Sequence, residues 1–154
     1  MHLGAMRLPC REDDPRHMPP NFYYDQQDLL EARQRGKSWT WSASRPNFIG
    51  DFAPERARNM VTVLGAYAAI CRELGVPMDF PGTQPVFDAL RDITDASLLA
   101  RAMTFIATAP NCANQAFNVT NGDQFRWRRL WPKIAAHFGV SPGVLRPLKL
   151  ATWM

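Results

Sequence analysis

The longest regular apolar pattern of the chain lies between about Glu55 and Leu74 and is typical of an amphipathic helix. Apolar side chains recur there at the i, i+3, i+4 and i+7 spacing that places them on one face of a helix. They are Met60, Val63, Leu64, Tyr67, Ile70, Cys71 and Leu74. Gly75 follows the last of them, at the position where a glycine commonly ends a helix. The pattern therefore predicts a helix over residues 55–74 with one buried face.

Helical and strand-like segments alternate along the rest of the chain. Trp39, Trp41 and Ala43 alternate with small polar residues, which predicts a strand over 38–44 that ends at Arg45-Pro46. We predict further strands at 78–80 and 116–120, and further helices over 21–35, from 94 or 95 to 106, and over 127–138. This order is typical of an α/β protein with a parallel sheet. Three strands are few for a doubly wound sheet, however, and no G-x-G-x-x-G turn precedes any helix.

Composition narrows the class of protein. With 154 residues, 46% of them hydrophobic and 21% charged, the chain is long enough for one globular domain with its own core. Its longest apolar run, residues 63–71, is far shorter than the roughly 20 residues that a membrane span needs. The first residues lack the apolar stretch of a secretory signal. Three widely spaced cysteines without a C-x-x-C motif indicate a reduced, cytoplasmic protein.

The net charge is +4, and much of the positive excess is clustered at Arg126, Arg128, Arg129 and Lys133, followed by Arg146 and Lys149 near the C-terminus. A basic face can bind nucleic acid. No nucleic-acid-binding motif accompanies these residues, so the sequence favours a solvated helix face and we predict no nucleic-acid partner.

The last predicted helix carries Trp127, Trp131 and Phe138 at helical spacing, which indicates core packing rather than a ligand stack. Pro132 is expected to break or kink this helix unless it lies in the first turn.

Other polar residues are assigned structural roles. Asp95 or Thr94 is expected to cap the helix that follows, and Asn118 and Asn121 border a turn. The three histidines are scattered without ligand-like neighbours, so no metal site is predicted.

Two tyrosines, Tyr23 and Tyr24, enter the helix predicted over 21–35. A phenol performs acid–base chemistry near neutral pH only if a positive charge stabilises its phenolate. Asp28 stands one helical turn after Tyr24, on the same face, and its charge has the wrong sign for that purpose. The residues alone therefore favour two aromatic side chains that cover the core at a helix start.

Several stretches resemble, in the same order, the progesterone 5β-reductase/iridoid synthase-like (PRISE) family of atypical extended short-chain dehydrogenases/reductases. The four main ones are NFYYDQQDLL at 21–30, WTWSASRPNFIGDFAP at 39–54, NMVTVLGAYAAICRELG at 59–75 and AFNVTNGDQFRWRRLWPKIAAHFG at 116–139. A further stretch, DITDASLLARA at 92–102, resembles the segment that opens a helix in extended members.

The resemblance implies an α/β fold of the Rossmann type, of which this chain is the C-terminal-side portion. The N-terminal glycine-rich βαβ unit, which holds the cofactor pyrophosphate in the family, is lacking from the sequence. We expect residues 1–20 to form an extended connector. Residues 21–154 are expected to form a partial reductase domain with part of the substrate-binding region. The chain alone is then expected to be inactive.

The resemblance also implies a function, the reduction of a carbonyl or enone by hydride transfer from NADPH. It assigns Tyr24 as the catalytic phenol, which stabilises the enolate oxygen and contacts the cofactor. Pro46 and Ile49 belong to the turn that meets the nicotinamide. The family draws the cation for its tyrosine from a lysine upstream of the matched stretches, so none is expected from this chain. The implied partner is a small-molecule carbonyl or enone substrate, without nucleic acid or membrane, and a homodimer is left open.

A different class of function stays open as the alternative. The chain would then be a non-catalytic remnant with unpaired strand edges and no nucleotide site, acting at most as a binding or assembly module. Titration of the purified chain with NADPH, followed by nicotinamide fluorescence, tests the enzyme hypothesis, and we expect no binding.

Overall fold

The computed structural model describes residues 9–16, 21–51 and 59–147. The helices are α1 Phe22–Gln34, α2 Met60–Leu74, α3 Gln84–Asp88, α4 Ala96–Thr108 and α5 Trp127–His137, with a 3-10 turn at Pro110–Cys112. The strands are β1 Ser42–Pro46, β2 Phe48–Gly50, β3 Met78–Phe80, β4 Leu90–Asp95, β5 Gln115–Val119, β6 Gln124–Arg126 and β7 Pro142–Leu145. The chain divides into two compact units. The first contains the residues up to Pro46 together with Ser97–Val119, and the second contains the others.

The first unit is built on a parallel pair of strands, β1 and β5. Their register runs from Ser42 opposite Gln115 to Pro46 opposite Val119. The predicted strand at 116–120 is confirmed within a residue, whereas the strand predicted over 38–44 lies at 42–46 instead. Pro46 is accommodated because it is the last residue of a strand that pairs with one neighbour among the described strands, where a missing N–H disrupts no ladder.

The core of the second unit is an aromatic cluster where α5 packs on β3. The Trp131 ring meets the Phe80 ring edge-on at 4.9 Å, and Trp127 lies 5.9 Å from each of them. The buried Trp131 indole donates a hydrogen bond from Nε1 to the Met78 carbonyl, 2.8 Å away. Aromatic rings with a satisfied polar edge combine large buried area with defined geometry. The prediction that Trp127 and Trp131 belong to the core is therefore confirmed.

Three short sheets are formed by the described strands, rather than the single sheet that the sequence predicts. The strands β2 and β4 are parallel, β4 and β6 are antiparallel, and β3 pairs in parallel with β7. The parallel pairs bear out the α/β expectation. The four strands β2, β4, β6 and β7 were not predicted, because they are three to six residues long and lack clear alternation.

Two glycines of the second unit lie in contrasting surroundings. A Cβ on Gly143 of β7 would lie 2.9 Å from the backbone nitrogen of Asp79 and 3.0 Å from its Cα. A Cβ on Gly65, in the middle of α2, would meet only the Phe138 ring at an ordinary 3.6 Å. The close approach of β3 and β7 therefore requires a residue without a side chain at position 143. The packing of α2 does not require one at position 65.

Both ends of α2 have capping residues. The side chain of Asn59 accepts a hydrogen bond from the Val61 N–H at 3.0 Å and so caps the first turn. Gly75 ends the helix with a φ of +63°, which favours glycine. Residues 55–58 of the predicted helix lie outside the described residues.

Pro132 lies in the interior of α5, five residues after the first, and the helix continues through it. The expectation of a break is wrong here because Trp131 and Ala135, on either side of the proline, are both buried in the same core and hold the two turns together. Among the described residues, none of the helices has the length and apolar character to cross a membrane.

Candidate active site

Tyr24 lies in the first turn of α1, after the predicted cap Asn21, whose side-chain oxygen accepts the Tyr23 N–H at 3.1 Å. The two adjacent tyrosines differ in surroundings. Tyr23 is 65% exposed and its ring lies 4.1 Å from that of Phe22. The side chain of Tyr24 is only partly exposed. The fold therefore distinguishes Tyr24 as the tyrosine with a structured environment.

A guanidinium lies over the ring of Tyr24. The Cζ atom of Arg16 is 4.9 Å from the ring centroid, within the range of a cation–π interaction. Arg16 also binds Asp28 through two hydrogen bonds, from Nη1 to Oδ2 at 2.9 Å and from Nη2 to Oδ1 at 2.5 Å. The sequence predicts that this chain supplies no cation for Tyr24. That prediction is wrong for the face of the Tyr24 ring, over which the Arg16 guanidinium lies.

The same contacts set the electrostatics of the pair. The hydrogen bonds from Arg16 lower the pKa of Asp28 below its ordinary value. In return, the hydrogen bond to Asp28 raises the pKa of Arg16, and the charges of Asp28 and Glu31 act in the same direction. From the sequence alone, the Asp28 carboxylate would oppose a phenolate at Tyr24. In the structure, the positive charge of Arg16 balances it on the same face of α1.

Residues 9–16, here called the strap, cross the carboxyl ends of β1 and β5. The Glu12 carboxylate accepts the backbone N–H of Asn118 at 2.8 Å, and the Asn118 side-chain amide donates to the Cys10 carbonyl at 3.3 Å. Arg45 of β1 donates to the Glu12 carbonyl at 3.5 Å. The strap is therefore anchored on both strands before it reaches Arg16.

Arg45 also connects β1 with α1. Its guanidinium donates to Oε1 of Gln27 at 2.9 Å, and the Gln27 amide donates to Glu31 at 2.8 Å. These bonds fix the turn of α1 that follows Tyr24. Sequence reasoning missed Arg16, Glu12 and Gln27, because each acts through contacts distant in the chain and no local pattern marks them.

The remaining predicted site residues stand on either side of Asn47. Pro46 ends β1 in the first unit. Ile49 lies on β2 in the second unit, where its side chain is 46% exposed. Asn47 itself donates its N–H to the buried Thr94 hydroxyl at 3.4 Å. Thr94 and Asp95, the two predicted caps of the following helix, are the last two residues of β4, and the cap stays a prediction. The cofactor roles of Tyr24, Pro46 and Ile49 stay predictions.

Two other predicted features have defined positions. Asn121 accepts the Asp95 N–H at 2.8 Å, which agrees with its structural assignment. The basic residues Arg126, Arg129 and Lys133 line a cavity of about 250 Å³ together with apolar side chains of β4, β6 and α5. Within the described part of the chain, no group of three or more acidic, histidine or cysteine residues could hold a metal ion. His2 and His17 lie outside that part.

Parallel strands connected through helices place the chain among Rossmann-like α/β proteins, and comparison with solved structures supports this class. The chain superposes on the Thermus thermophilus UDP-glucose 4-epimerase complex with NAD with a TM-score of 0.64 over 95% of its length and 48% of that chain, at 18% identity. The RMD structure from Pseudomonas aeruginosa complexed with NADPH gives a TM-score of 0.65 over 92% of this chain and 48% of the other, also at 18% identity. At such identities the likeness concerns the fold alone.

The family is shown by sequence. The chain belongs to the PRISE-like Rossmann-fold domain family, whose model matches residues 4–149. It is 42% identical over 143 residues to the short-chain dehydrogenase gsfE of Penicillium aethiopicum. It is 44% identical over 141 residues to the (S)-8-oxocitronellyl enol synthase ISY2 of Nepeta racemosa and 41% identical over 133 residues to the 3-oxo-Delta(4,5)-steroid 5-beta-reductase of Arabidopsis thaliana. The predicted resemblance is confirmed.

The matches cover most of this chain but a smaller part of the relatives. They span 91% of the chain and 38% of the Penicillium aethiopicum protein, and 91% and 36% for the Nepeta racemosa protein. For the Arabidopsis thaliana reductase the shares are 86% and 34%. The chain therefore corresponds to little more than a third of the length of the relatives it matches.

Proposed function

We propose that this chain contributes the catalytic phenol and part of the substrate-binding region to an NAD(P)H-dependent reductase that acts on a carbonyl or enone. The observation that carries the proposal is identity of 41–44% to relatives whose names specify such reactions, over most of the chain. The proposal covers the activity, the cofactor and the substrate class alike, since the chain spans only part of those relatives.

The two relatives share one chemical requirement. A 3-oxo-Delta(4,5)-steroid is an enone, and hydride addition at its β-carbon moves negative charge onto the carbonyl oxygen. The other relative is named for an enol product, which is the protonated form of that same charge distribution. A hydrogen-bond donor fixed at the oxygen stabilises the developing charge, and such preorganised donors commonly account for much of an enzyme's rate enhancement.

Tyr24 is the residue we assign to this donor role. Its phenol is held in the first turn of α1 with the Arg16 guanidinium over the ring. Tyr23, one residue earlier, packs its ring at a tilt against that of Phe22 and is largely exposed. The difference in surroundings supports Tyr24 over its neighbour as the phenol that meets the substrate oxygen.

A nicotinamide cofactor, when bound, supplies the hydride. We propose that Tyr24, Pro46 and Ile49 each contact the cofactor, Pro46 and Ile49 at its nicotinamide end. Pro46 lies at the carboxyl end of a parallel strand, the edge at which ligands bind in open α/β sheets, and Ile49 presents apolar surface. These residues suit the uncharged nicotinamide ring. The sequence has no G-x-G-x-x-G turn to hold the pyrophosphate, and we expect the chain alone not to bind NADPH.

The proposed substrate is a small carbonyl or enone compound, and the proposed location is the cytoplasm. The proposal for the location is supported by the free cysteines, of which Cys71 and Cys112 are buried thiols. Neither proposal depends on the other.

A segment exchange tests the proposed activity. The 141 residues of the Nepeta racemosa synthase that match this chain are replaced by the corresponding residues of this chain, and enol formation is measured with NADPH. We expect activity, and we expect Tyr24→Phe to lower kcat by about 10²–10³-fold, the cost of losing one oxyanion donor. Tyr23→Phe is the matched control and should change kcat by less than about twofold. A folded exchange protein without activity, or one in which Tyr24→Phe remains active, would refute the proposal.

The non-catalytic alternative is favoured by one observation. Helix α1 has no buried residue, and Phe22, Tyr23 and Leu29 are each more than half exposed. Such an apolar surface suits an assembly module. An exchange protein that folds but binds no NADPH would support this alternative.

A further inference from the structure

Asp28 and Tyr24 are four residues apart on α1 and therefore share one face of the helix. A carboxylate alone at this position would oppose negative charge on the phenol. The structure instead pairs the carboxylate with Arg16, and the pKa of Asp28 is lowered by that pairing. The net charge next to the Tyr24 ring is thus balanced by a residue outside the helix.

The shape of the guanidinium matters as well as its charge. Both terminal nitrogens of Arg16 bind the two oxygens of Asp28, which is the bidentate geometry that a planar guanidinium allows and an ammonium does not. The same planar group stands 4.9 Å from the centroid of the Tyr24 ring. One side chain therefore fixes its own orientation on Asp28 and presents a cation to the phenol.

The strap, which carries Arg16, is itself bound to the strands β1 and β5. Glu12 binds the backbone of β5, and Arg45 of β1 binds the Glu12 carbonyl, four residues before Arg16. The backbone N–H of Arg11 donates to the Asp14 carboxylate at 2.7 Å, which closes a turn within the strap. Arg16 is consequently attached to the sheet on one side and to α1 on the other.

We infer that Arg16 is a positioning residue for Tyr24, delivered by the strap and fixed by Asp28, which keeps the phenol oriented and places positive charge beside it. The inference rests on the proposed function of Tyr24 as the oxyanion donor. It differs from the expectation that the cation of this tyrosine comes only from outside the chain. Arg16 acts on the reaction through Tyr24 and not by contact with the substrate.

The contact is tested first on the 154-residue chain itself, without any activity. A ring over the guanidinium shifts the NMR signals of the Arg16 side chain through its ring current. We expect Tyr24→Leu to abolish this shift. Tyr23→Leu is the matched control, since it removes an equal ring one position away, and should preserve the shift. Arg16 signals that are unshifted in the wild type, or equally shifted in both variants, would overturn the inference.

The role is tested in the segment-exchange protein, with kcat and KM measured separately and corrected for the folded fraction. Arg16→Gln is expected to lower kcat about two- to fivefold with KM for NADPH unchanged, the range that a cation–π contact of this exposure supports. Arg16→Lys should recover part of the loss. Asp28→Asn should lose less than Arg16→Gln, because it keeps the cation.

Two kinetic results would contradict the inference. An unchanged kcat in Arg16→Gln, after correction for the folded fraction, would show that the ion pair only stabilises the fold. A higher KM with kcat unchanged would make Arg16 a ligand-binding residue. An inactive exchange protein would instead count against the proposed function, and the NMR comparison would then decide the Arg16 contact by itself.

Discussion

The same substitution, glycine to alanine, is predicted to change stability in opposite directions at two positions of the second unit. At Gly143 the new Cβ would come within 3.0 Å of the Asp79 backbone, a distance that Cβ atoms essentially never show. The obstacle is main chain and cannot rotate away, so β7 must move from β3. At Gly65 the new methyl group meets Phe138 at 3.6 Å, which is an ordinary contact.

The size of the Gly143→Ala effect follows from what the movement breaks. Overpacking in a tight contact costs typically about 1–3 kcal/mol. The Asp79 carboxylate also accepts the Val144 N–H at 2.9 Å and pairs with Arg146 at 3.0 Å, and a displaced strand weakens both interactions. We expect a loss of about 2–4 kcal/mol in the free energy of unfolding. Gly65→Ala should gain about 0.5–1 kcal/mol, because alanine reduces the backbone entropy lost in a helix interior.

Urea denaturation followed by the fluorescence of Trp127 and Trp131 measures both changes, since these buried tryptophans lie in the same unit as the two glycines. A Gly143→Ala protein within about 0.5 kcal/mol of the wild type would show that β3 and β7 do not approach as described. A destabilised Gly65→Ala protein would show that α2 packs differently against Phe138.

Three further outcomes are expected. Trp131→Phe should cost about 1–3 kcal/mol, because the Met78 carbonyl loses its indole donor in the core; an unchanged urea midpoint would contradict this. Asn59→Ala should destabilise α2 by about 1 kcal/mol, because the helix loses its cap. Hydrogen exchange measures this change, and unchanged protection of the α2 amides would contradict the prediction. The folded-state pKa of Asp28 is lowered, so its pairing with Arg16 is complete above the unfolded value of about 3.9 and is lost as pH falls through the folded pKa. An Arg16 NMR signal that changes near neutral pH instead would refute that assignment.

The sequence was sufficient where a pattern repeats within one element. The apolar spacing of α2 and the glycine after it located the helix, and the tryptophans of α5 identified core positions. Pro132 misled because propensity acts locally, while burial of the residues on either side of it stabilises the helix. For α2 and for the core positions of α5, the spacing of apolar residues within one element was enough to make the prediction.

The missed parts depend on contacts between distant residues. Arg16 and Asp28 are 12 positions apart, and Glu12 and Asn118 are 106 positions apart. No local pattern encodes such pairs. The short strand β6 was likewise hidden, because three residues carry too little periodicity to be recognised. The candidate tyrosine was therefore readable from its stretch of sequence, whereas the groups that surround it were not.

The bond between Glu12 and Asn118 has a consequence for how further backbone could join this sheet. The Asn118 N–H that Glu12 occupies belongs to β5, which is paired with β1 over its five residues. An incoming strand that sought the same donor would first have to displace a charged side chain, and would leave that carboxylate without its partner. The strap therefore protects this edge of β5 through the Glu12 carboxylate. Any assembly that adds a strand at this edge must compete with the strap.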